Sequence, residues 1–216
     1  MRRTLLLVAL CLLAGAPAWA GPITYHVSVD TSSIAGTAGS LEFQFNPGPL
    51  SSQPASLQIL NFASNGTLAG APQTFGDVSG GPLPSTVTFD NGGAFNDYFD
   101  GFTFGSSLAF DITLFGPALT APNGTATSGS AFGFSMFSDP DGTIAALTSD
   151  PTGLALRIDV LLNGTSSVTS FSPEAAVAVP EPSTVLLTAT VLLGLYAARM
   201  VRRQRASRNS SLSLPV

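Results

Sequence analysis

The chain has 216 residues, 44% of them hydrophobic and only 10% charged, with one histidine, one cysteine and no lysine. Thirteen acids outnumber eight arginines, and the signs are segregated: from Gly21 to Val179 twelve acids face a single base, Arg157, a formal −11. So acidic a body repels phosphate backbones, which excludes nucleic-acid binding, and a single histidine with no cysteine after Cys11 excludes disulfides, thiolate metal sites and multi-histidine centres there.

The first element is a leader. Met1-Arg2-Arg3 precedes the apolar run Leu5 to Leu13, Pro17 breaks it, and Ala18-Trp19-Ala20 follows. A cationic start, a short apolar core and an Ala-x-Ala site make a secretory signal peptide over 1–20, with signal peptidase cutting after Ala20. The core is too short for a permanent span, which needs about 20 residues. Cys11 follows Leu10 inside that core, not a small residue, and does not read as a lipoprotein cysteine.

The 159 residues from Gly21 to Val179 suffice for one domain with a sizeable core. Apolar residues recur every second position: Ile23, Tyr25, Val27 and Val29; Leu41, Phe43 and Phe45; Leu108, Phe110, Ile112 and Leu114; Leu154, Leu156, Ile158, Val160 and Leu162. Further strands are expected at 56–62, 85–90, 102–105, 131–137 and 143–148. Period two is the signature of strands with one buried side. Turn formers separate them, among them Asn65-Gly66, Asn91-Gly92, Asn123-Gly124, Asp141-Gly142 and Asn163-Gly164, and Asn-Gly suits turns in which both central residues need φ > 0. Three of these pairs also match Asn-x-Thr, for which the turn is reason enough. Nine or ten short strands predict an all-β fold, an antiparallel β-sandwich of jelly-roll-like type, over 21–172, with all fifteen phenylalanines available to its core. Residues 173–179 read as a linker.

Two polar clusters in the body are candidate calcium ligands: Asp97 and Asp100 in Asn96-Asp97-Tyr98-Phe99-Asp100-Gly101, and Asp139 and Asp141 in Asp139-Pro140-Asp141-Gly142. Calcium takes six to eight oxygens, but neither cluster fits a defined loop such as the EF-hand. As turn residues, Asp and Asn beside Gly need no metal, and no other cofactor is implied. A serine hydrolase would need His26 as its base, on the polar phase of the first strand, and no Gly-x-Ser-x-Gly elbow is present. Twelve acids always offer pairs for glycoside hydrolysis, and nothing singles one out.

The chain closes as it opened, on an apolar run beside arginines. Pro182 to Ala198 are seventeen uncharged residues, about 26 Å as a helix against a hydrocarbon core of about 30 Å. Arg199 snorkels, Met200 and Val201 complete the span, and Arg202, Arg203 and Arg205 hold that flank in the cytoplasm. Just before it stands Val179-Pro180-Glu181-Pro182-Ser183, stiff and extended because each proline restricts the residue before it.

Pro180-Glu181-Pro182, one hydrophobic helix and an arginine cluster, in that order near a C-terminus, resemble the PEP-CTERM sorting domain of Gram-negative bacteria, over Val179 to about Arg205. The resemblance implies recognition by an exosortase, a membrane-embedded enzyme that releases the protein toward the cell surface, and a link to exopolysaccharide. The tail 206–216 is longer than the family's usual ending. Phe95 to Asp111, and more weakly Ser130 to Phe134, also resemble one uncharacterised group of PEP-CTERM proteins with no agreed activity. The expectation is an exported, non-enzymatic surface or matrix protein. It is held in the inner membrane by 180–205 with its body in the periplasm, then sorted to the surface or exterior. A carbohydrate- or calcium-binding module stays open as the alternative, and a glycoside hydrolase as a third.

Overall fold

The computed structural model describes residues 21–178 and, in a separate C-terminal unit, the helical and exposed Gly194, Tyr196 and Arg199. The leader with Ala18 and Ala20, the motif Pro180-Glu181-Pro182, Arg202, Arg203, Arg205 and the tail 206–216 lie outside the described residues, as does most of the expected span. Among the described residues no helix is long and apolar enough to cross a membrane.

The body is an all-β sandwich. Its strands are β1 (Ile23–Asp30), β2 (Ala38–Pro47), β3 (Ser56–Ser64), β4 (Thr67–Leu68), β5 (Gln73–Phe75), β6 (Val78–Gly80), β7 (Val87–Asp90), β8 (Asp97–Thr103), β9 (Ser107–Phe115), β10 (Ser130–Phe137), β11 (Leu154–Val160), β12 (Ser166–Ser170) and β13 (Ala175–Ala178). One short helix, α1 (Pro117–Thr120), follows β9. The first sheet runs β13-β1-β9-β3-β7-β6; the second runs β12-β11-β10-β2-β8, with β4 and β5 both pairing β8. Every strand pair is antiparallel. The pairs β1–β9, β2–β8 and β3–β7 are nested in sequence and alternate between the sheets.

The alternation in β9 is exact in effect: Leu108, Phe110, Ile112 and Leu114 are buried and the residues between them are not. Sheets packed face to face stand about 10 Å apart, and aromatic side chains from both inner faces fill that gap. Phe110 of the first sheet meets Phe43 and Phe134 of the second at centroid distances of 5.3 and 5.0 Å, and Phe43 lies 5.0 Å from Phe134. Phe62 meets Phe102 edge-on at 6.4 Å in a second inter-sheet contact.

Four local readings are corrected. Asp97 to Gly101, read as an oxygen-rich loop, is the first half of β8, because the long neighbour β2 supplies a full hydrogen-bonding register from Gln44↔Asp97 to Ala38↔Thr103. Residues 175–178, read as linker, form β13, which pairs with β1 from Ala175↔Val29 to Ala178↔His26. Residues 143–148 contribute only an isolated bridge at Ala145, since Asp139 draws the Thr143 and Ile144 amides into a turn. The Asn-Gly pairs do not place both residues at positive φ: Gly124 and Gly164 are left-handed, and their asparagines instead accept from the Thr125 and Thr165 amides at 2.9 and 3.1 Å. Gly66 keeps a negative φ and is required by proximity: a Cβ there would lie 2.5 Å from the Phe102 ring.

Candidate functional site

Successive residues of a strand point to opposite sides of the sheet, so β8 divides the two acids that the sequence groups together. Tyr98, Asp100 and Phe102 face the interior, whereas Asp97 and Phe99 face outward. Asp97 and Asp100 therefore contribute to no common site.

Outward, Asp97 joins residues distant in sequence. Glu42 and Gln44 occupy the outward phase of β2, and Asp97 lies beside Gln44 in the register. With Gln73 of β5 and with Asp141 and Thr152 from the β10–β11 connection, Glu42, Asp97 and Phe99 line a groove of about 460 Å³ on the outer face of the second sheet. Gln44 donates from Nε2 to Glu42 Oε1 at 2.7 Å, and Asn46 Nδ2 donates to Gln44 Oε1 at 3.3 Å. The Asp97 carboxyl is pushed up to about 7, first by burial and then by the charge and hydrogen bond of Glu42.

The raised Asp97 and Asp100 carboxyls make stability depend on pH with a definite sign. An acid whose folded pKa exceeds its unfolded value binds the proton more tightly when folded, so stability is full below the unfolded pKa and falls as pH rises through the folded one. Asp97 and Asp100 are both raised, whereas Asp30, Asp111 and Asp150 are lowered and lose their contribution only below the usual carboxylate range. The fold is therefore expected to be most stable near pH 4. Denaturant midpoints should reveal a loss of about 1–2 kcal/mol between pH 4 and 7, after discounting for partial exposure. Asp97→Asn should shallow that slope and Asp97→Asn/Asp100→Asn should flatten it; an unchanged slope in the double variant would refute the assignment.

The other candidate acids behave differently from one another. Asp100 is fully buried, 1% exposed, and among the described residues neither carboxylate oxygen has a hydrogen-bond partner. Burial raises its pKa, and the Gly70, Gly101 and Ala71 amides, which oppose that shift, approach without reaching hydrogen-bond geometry. Asp139 accepts from the Thr143 and Ile144 amides at 3.0 and 2.6 Å and from the Thr143 hydroxyl at 2.9 Å, which commits it to its own turn. Asp141, two residues on, lines the groove. Among the described residues no three His, Cys, Asp or Glu side chains gather closely enough to hold a metal ion.

On the first sheet His26 donates from Nδ1 to Asp111 Oδ1 at 2.7 Å, and Asn61 Nδ2 donates to Asp111 Oδ2 at 2.7 Å. The Asn61 and His26 hydrogen bonds hold the Asp111 carboxyl below the usual range. His26 is largely exposed, and among the described residues no serine hydroxyl is hydrogen-bonded to it. Glu42, Gln73, Phe99 and Thr152 were not singled out by the sequence. The alternation of β2 shows that Glu42 faces outward, but nothing local reveals that Asp97 lies across from it.

Compared with known proteins, the chain matches no family model, no curated protein and no solved structure.

Proposed function

We propose that the chain is an exported surface or extracellular-matrix protein, processed by an exosortase at Pro180-Glu181-Pro182 and serving a structural, exopolysaccharide-associated role without catalysing a reaction. The observation that carries this reading is the order of the C-terminal segment: a helix-forbidding Pro-Glu-Pro, seventeen uncharged residues, then Arg199, Arg202, Arg203 and Arg205. The leader ending at Ala20 supports export, and a body with twelve acids and one base is a soluble polyanion once outside. In this reading signal peptidase and the exosortase act in turn, the body waits in the periplasm, and the arginines stay in the cytoplasm.

We further infer a jelly-roll type of sandwich. The nested pairs β1–β9, β2–β8 and β3–β7, alternating between the sheets, support it, as does the order β1-β9-β3-β7 within the first sheet.

Replacing Pro180, Glu181 and Pro182 together by alanine tests the processing. In the native cell the variant should stay in the membrane fraction with its arginine tail, while the unaltered chain is recovered outside. Equal release of both would overturn the role given to the motif.

The outer groove favours one second reading, a carbohydrate-binding module. Glu42, Asp97, Asp141, Gln73 and Thr152 line the groove together with Phe99, a mixture of hydrogen-bonding groups and apolar surface suited to a sugar. Calorimetry with acidic and neutral polysaccharides separates the readings: heat abolished by Phe99→Ala and Asp97→Ala supports the module, and no heat across the panel discards it. Calcium titration is a separate arm, in which an unmoved melting temperature discards calcium dependence.

A further inference from the structure

Both ends of the body point the same way. β1 begins at Ile23 opposite Leu114, near the end of β9, and Ser56 lies across from Phe115. β13 runs antiparallel to β1 and stops at Ala178 opposite His26, heading for that same end. Asn91 ties this end of the first sheet to the second: its side chain accepts from the Ala55 amide at 2.9 Å and donates to Ser130 Oγ at 2.7 Å, and Ser130 pairs with both Pro47 and Val160. The loops after β2 and β11, and the start of β8, therefore surround the end toward which the chain departs.

Those loops carry most of the body's exposed apolar side chains. Leu161 and Leu162 follow β11, Leu50 follows β2, Phe95 precedes β8, and Phe75 closes β5 across from Asp97; they are 41 to 65% exposed. Phe75 and Phe95 pair with ring centroids 5.8 Å apart, both open to solvent. Because β11, β10, β2, β8 and β5 are successive neighbours, the five side chains come from loops and strand ends set out over about 20 Å of one sheet end. Around them stand Asp77, Asp90, Asp97 and the Arg157–Asp159 ion pair. The opposite end carries Asp30, Asp139, Asp150 and Glu174, and one exposed large apolar residue, Ile144. Single exposed apolar residues need no explanation, but a row on one end of an acidic body does.

We propose that this row is a docking edge for a lipid surface: before processing, the sandwich stands on the outer leaflet of the membrane with Leu50, Phe75, Phe95, Leu161 and Leu162 in the headgroup region. The inference rests on the reading of Pro182 to Ala198 as a membrane span. It adds that the departing chain and the apolar row share one end, so a span beginning a few residues beyond Ala178 brings that end to the bilayer. The end carrying Asp30, Asp139, Asp150 and Glu174 faces away, which spares those carboxylates the repulsion of any anionic headgroups. Shallow apolar insertion without basic side chains gives weak, reversible docking that tethering makes effective, and release at Pro180-Glu181-Pro182 removes the tether.

Trp19 is the chain's only tryptophan, so in a Trp19→Phe background one introduced tryptophan reports alone. Leu162→Trp and Leu50→Trp are probes at the row, and Ile144→Trp is the control at the far end; all three positions are exposed and tolerate the change. The full chain is reconstituted in phosphatidylcholine vesicles, with and without bromine on the acyl chains, and floated on a gradient. Docking is expected to quench Leu162→Trp and Leu50→Trp about twofold in brominated vesicles and to leave Ile144→Trp unchanged. Floating vesicles with neither row probe quenched overturn the docking edge alone. A concentration-dependent blue shift without quenching also overturns it, in favour of a second copy covering the row. A chain that does not float overturns the span reading and the docking edge with it.

Discussion

Replacing Phe110 by alanine is expected to destabilise the body by about 3–5 kcal/mol and to lower its melting temperature by about 10 °C. Phe110 has no solvent exposure and lies between two rings of the opposite sheet, Phe43 and Phe134, with Phe62 stacked beyond it at 6.5 Å. The loss has three sources: the transfer free energy of a buried benzyl group, the edge-on contacts at about 0.5–1.5 kcal/mol each, and a cavity that neighbouring strands cannot collapse into. A domain of this kind has about 5–15 kcal/mol in total, so much of its stability goes with one ring. Phe75→Ala is the natural control, since Phe75 is 64% exposed and should change stability by about 0.5 kcal/mol or less. Urea titrations in which the two variants lose equal stability would contradict the assignment of the core.

Asn96→Ala is the second large effect, expected at about 3–4 kcal/mol. Asn96 is wholly buried where three segments meet. Its Oδ1 accepts from the Asp77 amide at 2.8 Å, and its Nδ2 donates to the Phe45 and Gly93 carbonyls at 2.9 and 3.1 Å. Its backbone N–H donates to Asn46 Oδ1 at 2.6 Å, and its carbonyl accepts from the Phe45 amide. Truncation leaves the Asp77 donor and the Phe45 acceptor without partners in a dry place, and unmet buried groups cost more than the net value of the bonds. Asp in place of Asn should be nearly as harmful, because it keeps the acceptor, loses both donors and adds a buried charge. Hydrogen exchange should show the damage first at the Asp77 and Phe45 amides. Unchanged protection at both would refute the hub.

Much of this fold was readable in the sequence, and the failures have physical causes. β1, β2 and β9 are long and amphipathic, so local alternation and tertiary burial agree, whereas in β11 Ala155, expected on the outer phase, is buried beside a register shift at Phe134/Ser135, and Leu162 is exposed beyond the strand. β8 mixes strand formers (Tyr98, Phe99, Phe102, Thr103) with Asp97, Asp100 and Gly101, which strands disfavour, and β2 on one side and β4 and β5 on the other settle it as strand. β13 is built almost entirely of alanine and exists because β1 offers it an edge. Residues 143–148 show the converse, an alternating segment taken by a turn that the Asp139 carboxylate organises. The groove was the least legible feature. Its Glu42, Asp97 and Asp141 come from three separated segments, and strand register, a non-local quantity, decides which of them meet. The two clusters that looked like sites in the sequence were each split, Asp97 from Asp100 by strand alternation and Asp139 from Asp141 by turn bonding.

The proposal that most else depends on is export followed by cleavage at the membrane. Intact-mass analysis of the protein recovered from outside the producing cells tests it directly. The mass should begin at Gly21 and end between Pro180 and Ser183. A mass that retains Arg199 to Arg205 would contradict it and leave an ordinary membrane-anchored protein.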